Sequence, residues 1–226
     1  MENKYNSKIV TVIKKQVKNI SLKVKPDTQV ILTVPLHIND SHIQSILDKR
    51  TLWIDKKIEY FENIPNSIEK EYVSGENFKY LGKNYRLKVI KSTQVEINLQ
   101  RNFLELKVKN KKDFNTKRTL IDNWYQKQAN IYFQNIIDSF HYLIKSEVKK
   151  LRIRKMKTRW GSCNPSKKYI NLNSELIKKP TICIEYVILH EMVHLLHPNH
   201  NLEFYNFLTT YMPDWKHRKQ LLEHYN

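Results

Sequence analysis

Between Ile182 and Leu196 the chain reads Ile-Cys-Ile-Glu-Tyr-Val-Ile-Leu-His-Glu-Met-Val-His-Leu-Leu, apolar on almost every face of a helix. A helix that is apolar all round has to be buried. Two histidines and a glutamate inside it are costly unless they are paired or bound to a cation. Pro180 and Thr181 supply a start signal, and Pro198 disfavours the α conformation at His197, so the pattern predicts a helix over 181–197. His190 and His194 then lie about 40° apart around the axis and about 6 Å apart along it, so both rings reach one small ion.

A third ligand has to come from outside this ladder. His197 would stand about 10.5 Å along the axis from His190, too far for two rings on one ion. The break at Pro198-Asn199 lets the chain turn back, which favours His200; Glu203 and Glu223 are the alternatives. The 190, 194, 200 spacing equals that of H-E-x-x-H-x-x-G-x-x-H, with His197 standing where that pattern has glycine. Three protein ligands with one open position are the donor set of a catalytic zinc, one ion per chain. Glu191, between the histidines, is placed to take a proton from metal-held water and return it to a leaving group. The motif predicts a zinc-dependent hydrolase.

The rest of the chain predicts an α+β protein. Ile20, Leu22 and Val24 alternate with polar residues, Pro26 to Gln29 form a turn, and Val30 to Val34 return as the second strand of a hairpin. Ser41 is the expected N-cap of a helix carrying Ile43, Leu47 and Ile54. Further strands are expected at 85–90, after a turn at Gly82-Lys83-Asn84, and at 95–99 and 103–108. A long amphipathic helix is expected over about 119–148, its apolar positions including Leu120, Trp124, Ile131, Phe140 and Leu143. Short strands are expected at 151–157 and 169–173, and no internal repeat is apparent. The polar run after Val108 suggests a boundary: residues 1–112 as a strand-rich region with one helix, and 113–226 as a mainly helical catalytic domain with a small edge sheet. Cys183 and Met212 are assigned to core packing.

The N-terminus lacks the apolar core of a signal peptide, and no apolar run is long enough to span a bilayer. Cys163 and Cys183 make no disulfide framework and suit a reducing cytoplasm. A net charge of +18 suggests an anionic partner, with nucleic acid among those it allows.

Several segments flank the motif in a fixed order: Arg159-Trp160-Gly161-Ser162-Cys163, Ile170-Asn171-Leu172-Asn173, Asn199-His200 and Pro213-Asp214-Trp215. With them the chain resembles the YgjP-like metallopeptidase family, a zincin-like group related to the WLM and SprT-like proteins. The resemblance is strongest over about 151–216, and Pro35 and Tyr80-Leu81-Gly82 match more loosely. It implies His190, His194 and His200 as zinc ligands, Glu191 as the catalytic residue, and the Trp160 to Cys163 segment beside the cleft. On that reading a peptide substrate pairs with the strand at Ile170 to Asn173, and Arg159, Trp160 and Asn173 contact it. Arg152, Arg154 and Arg159, with Lys155 and Lys157, form a basic cluster that a triphosphate or nucleic-acid backbone would use. Two alternatives to a general metallopeptidase therefore stand: a nucleoside triphosphate pyrophosphatase, and a SprT-like protease acting on DNA-bound proteins.

Overall fold

The computed structural model describes residues 2–5, 8–25, 27–62 and 70–224. They form an α+β fold with five α-helices and three small sheets. The chain divides into two compact units, residues 1–69 and 70–226.

In the first unit β1 (Glu2–Tyr5), β2 (Lys8–Lys15), β3 (Ser21–Val24) and β4 (Val30–Pro35) form a sheet of order β1-β2-β4-β3. The expected hairpin is present, with Leu22 opposite Leu32; Pro26 of its turn lies outside the described residues. Helix α1 (Asp40–Glu62) follows, capped by Asn39 rather than Ser41: Asn39 Oδ1 accepts from the His42 N–H at 2.9 Å. Val30, Leu32 and Val34 alternate onto a core that also takes Ile43, Leu47 and Ile54 from α1.

The second unit begins with the same plan. Its strands β5 (Asn77–Tyr80), β6 (Lys83–Lys91), β7 (Glu96–Gln100) and β8 (Phe103–Val108) take the order β5-β6-β8-β7, and α2 (Phe114–Ile144) follows. In both units the first and last strand pairs are antiparallel and the central pair is parallel. Tyr5 pairs with Lys8 and Tyr80 with Lys83, each across a two-residue connection. A ββββα motif thus occurs twice, a repeat the sequence did not reveal. Sheet pairing needs only alternation of apolar residues, which many sequences satisfy.

The polar run at 110–113 lies inside the second unit and starts α2: Asp113 accepts from the Thr116 N–H at 3.0 Å. Leu104, Leu106 and Val108 share one core with Ile121, Tyr125, Ala129 and Phe133 of α2, so the second sheet is continuous with the helical half. The buried stripe of α2 runs through those residues and Ile137; Ile131 is 50% exposed, off the stripe.

After α2 come β9 (Lys150–Arg154), β10 (Gly161–Asn164) and β11 (Tyr169–Asn173), then a short 3₁₀ helix, Ser174–Lys178. Helix α3 (Thr181–Val193) follows, packed against α2, β10, β11, α4 (Leu202–Tyr211) and α5 (Trp215–His224). It ends four residues earlier than Pro198 alone requires, because the last turn tightens: Leu195 and Leu196 donate to the carbonyls three residues back. Cys183 and Met212 are buried in this core. No described helix is long and apolar enough to cross a membrane.

Candidate metal centre

Helix α3 is held at both ends. Leu81 and Gly82 form a turn with both residues at positive φ, +48° and +78°, the geometry of a two-residue hairpin connection. It replaces the turn expected at 82–84. The Leu81 N–H donates to the Ile177 carbonyl at 2.9 Å, and a Cβ on Gly82 would stand 2.8 Å from the Cα of Pro180. The hairpin therefore presses on the residue from which α3 starts, and only glycine allows the approach.

At the other end three imidazoles converge. His190, His194 and His200 each offer a ring nitrogen, and these lie within 4.8 Å of one another. The Nε2 atoms of His190 and His200 are 3.0 Å apart. Two zinc–nitrogen bonds at a tetrahedral angle place their nitrogens about 3.3 Å apart, so the rings stand close to the spacing one ion imposes. The His197 carbonyl, an acceptor only, lies 3.1 Å from His194 Nδ1. That nitrogen therefore carries the proton, which leaves the Nε2 lone pair for a metal. His197 serves through its backbone and is not one of the three. Burial, then the neighbouring imidazoles and Lys219, push His190 down to about 3. Burial, His194 and Lys219 lower His200. Both are held in the neutral form that ligates. The donor set fits a single zinc-like ion.

Phe204 was not foreseen from the sequence. Fully buried on α4, its ring centroid stands 4.9, 4.7 and 4.8 Å from those of His190, His194 and His200. It is the common floor of the three rings. Asn201 sets it there by capping α4, its Oδ1 accepting the Phe204 N–H at 3.0 Å. The signal was present as an Asn-x-x-Phe start directly after His200. Glu203, the alternative ligand, turns instead to His197, its carboxylate 3.5 Å from Nδ1, and Glu223 is exposed on α5.

Glu191 is 7% exposed, and burial raises its carboxyl to about 7, with Arg159 opposing. It lies against β10. A Cβ on Gly161 would stand 2.6 Å from Glu191 Cγ and 2.7 Å from Oε1, so the bare glycine is the space the carboxylate occupies. Cys163, on the same face of β10, is pushed up to about 12 by burial and the Glu191 charge, which keeps it an unreactive thiol.

The third sheet has the order β10-β11-β9. The expectation that a peptide pairs with Ile170 to Asn173 is corrected here. That strand is central, its hydrogen bonds taken by β10 on one side and β9 on the other. The open edge next to Glu191 is β10. Asn173 N–H donates to the Trp160 carbonyl, so 160/173 and 162/171 are hydrogen-bonded pairs. By alternation, Gly161 and Cys163 point their backbone N–H and C=O groups away from β11.

Of the other residues singled out, Trp160 is half-buried with Lys179 Nζ 5.1 Å over its ring. Asn173 is buried and ties down the loop before β10: its amide donates to the Met156 and Arg159 carbonyls and accepts from the Met156 N–H. It reaches the centre only through that loop. Arg152 and Arg154 are exposed on β9, while Leu151 and Ile153, which alternate with them, pack on the core. The two arginines therefore lie on the sheet face opposite Glu191. Arg159 alone of the basic cluster acts on that carboxylate.

The zymogen of jannalysin, a metallopeptidase from Methanocaldococcus jannaschii, is 22% identical over 40% of this chain and 92% of its own, with a TM-score of 0.37. That of Pyrococcus abyssi abylysin is 16% identical over 39% of this chain and 87% of its own, TM-score 0.35. A search among curated proteins finds no match. The model of the YgjP-like metallopeptidase domain matches residues 18–225, nearly the whole chain. The chain belongs to the YgjP-like metallopeptidase family.

Proposed function

We propose that His190, His194 and His200 hold one zinc ion and that Glu191 is the general base of a peptidase; the family supplies the broader class, a metal-dependent peptidase. The observation that carries this reading is the convergence of three imidazoles beside a buried carboxylate. A zinc ion held there would supply Lewis acidity to a substrate carbonyl and to water. Glu191, raised to about 7, accepts the proton of the attacking water on its carboxylate and returns it to the departing amine nitrogen. The Gly161 surface fixes where that carboxylate points.

The substrate on this reading is a peptide or protein in extended form. The outward backbone groups of Gly161 and Cys163 offer it a strand to pair with. The phosphoanhydride alternative rested on five cations beside the centre, of which Arg159 alone acts on Glu191. The free Cys163 and Cys183 suit action in the cytoplasm.

Glu191→Gln is the test, with metal analysis and turnover of an unfolded protein substrate measured together. The expected result is about one zinc per chain in both proteins and a loss of turnover of roughly 10²–10⁴-fold in the variant. A variant as active as the parent ends the general-base assignment, and a parent without stoichiometric metal ends the site.

A further inference from the structure

Residues 149–173 hold nine lysines and arginines and no aspartate or glutamate, so a ninth of the chain carries half of its net +18. Those residues build the three-stranded sheet β10-β11-β9, and the register sorts them by face. The inner face carries Ile170 and Leu172, fully buried, with Gly161 and Cys163 against Glu191. The outer face consists of two rows across the strands: Lys150, Tyr169 and Asn164, and beside it Arg152, Asn171 and Ser162. Arg154, opposite Asn173, continues the β9 edge beyond these rows. The cations on this face are exposed, and none of the nine in the segment forms a salt bridge among the described residues.

A solvated strand face usually mixes its charges, because unrelieved repulsion is unfavourable. Here the repulsion is left without acidic relief and an aromatic residue is set among the cations. The Arg152 guanidinium lies 4.8 Å over the Tyr169 ring. Asn171 Nδ2 is engaged by Ser162, at 3.2 Å from its Oγ, which leaves the Asn171 carbonyl oxygen as an acceptor on the surface.

We propose that this outer face binds single-stranded nucleic acid. Lys150, Arg152 and Arg154 follow one edge at the two-residue repeat of a strand, roughly 6.5–7 Å. That spacing suits a phosphodiester track, and an arginine plane over a tyrosine ring is a stacking platform for bases. The Asn171 carbonyl oxygen, and the Asn164 Nδ2 whose own carbonyl accepts from the Lys167 N–H at 2.9 Å, are polar groups on this face for the edges that unpaired bases expose. A duplex hides the base faces and the Watson–Crick edges, and a membrane surface finds no aliphatic side chain here to bury. The site lies on the reverse of the strand that cradles Glu191 and does not depend on the peptidase chemistry.

The test is fluorescence anisotropy of the full chain with labelled 20-nucleotide single strands of DNA and RNA. The matching duplex and phosphatidylserine vesicles serve as competitors, each from 50 to 200 mM salt. Saturable binding is expected, with single strands competing at least tenfold better than duplex or vesicles. For a single strand each neutralised phosphate contributes a salt slope of about 0.7, or roughly fivefold in affinity at 0.1 M salt. The triple variant Lys150→Ala/Arg152→Ala/Arg154→Ala should therefore bind roughly 100-fold more weakly with a slope smaller by about 2. Tyr169→Ala should weaken binding roughly 5–150-fold with an unchanged slope, since stacking carries no counterions. Zinc content and melting temperature report whether each variant is folded. Three results overturn the proposal: no saturable binding at 50 mM salt, a folded triple variant that binds like the parent, or duplex or vesicles competing as well as single strands.

Discussion

Gly161→Ala tests the contact on which Glu191 depends. The added Cβ would stand 2.6 Å from Glu191 Cγ, 2.7 Å from Oε1 and 2.9 Å from Cδ. Carbon atoms pack at about 3.5–4.0 Å, so the glutamate side chain has to recede by about 1 Å. Neither neighbour yields easily, because α3 is buried and Gly161 sits in a ladder with Leu172 opposite it. Overpacking of this kind costs about 1–3 kcal/mol, a fall in Tm of roughly 2–12 °C for a unit of this size. Activity should suffer more than stability, since a 1 Å displacement of a reacting group costs about 10²-fold. The three atoms nearest that Cβ all belong to Glu191 and none to an imidazole, so zinc should stay at the parent level. The assay is cleavage of a fluorogenic peptide pool, with kcat and KM separated, beside metal analysis and a thermal melt. The expected result is kcat lower by about 10²-fold with metal retained. An unchanged kcat refutes the reasoning, and so does zinc lost in parallel, which would mean that the helix moved rather than the carboxylate.

His200→Ala should lower bound zinc well below one per chain, whereas Glu203→Gln should leave it unchanged because that carboxylate turns to His197; metal analysis after dialysis distinguishes them. Phe204→Ala removes the floor of three imidazoles and a fully buried ring, so unfolding in denaturant should show a loss of about 3–5 kcal/mol together with weaker metal retention. Chelation should lower Tm, and added zinc at 100 times its dissociation constant should restore about 2.7 kcal/mol; a Tm indifferent to chelator would count against a folded-state metal site.

Local order was legible where one segment carries its own signal. The buried helix with His190, Glu191 and His194 follows from a 3.6-residue pattern that needs no distant partner. The break at Pro198 pointed to His200, and the structure brings that ring to the other two. Strands marked by alternation of apolar and polar residues were also recovered, among them the hairpin of β3 and β4 and the strand at 169–173. Boundaries were not. α3 stops at Val193 because its last turn tightens, and the break between compact units falls at 69/70 because Leu106 and Phe133 share one core across the polar run at 110–113.

By itself the sequence determined the chemistry on offer: two histidines and a glutamate locked into one buried helix, and a third histidine after a forced turn. The tertiary structure decided how that chemistry is used. Strand order made β10 the open edge and β11 the covered one, and register sent Arg152 and Arg154 to the face away from Glu191. It also brought Gly161 onto a carboxylate thirty residues distant. Helix patterns repeat within a few residues of one segment, whereas the neighbours of a strand are set by pairings between segments that no local pattern encodes.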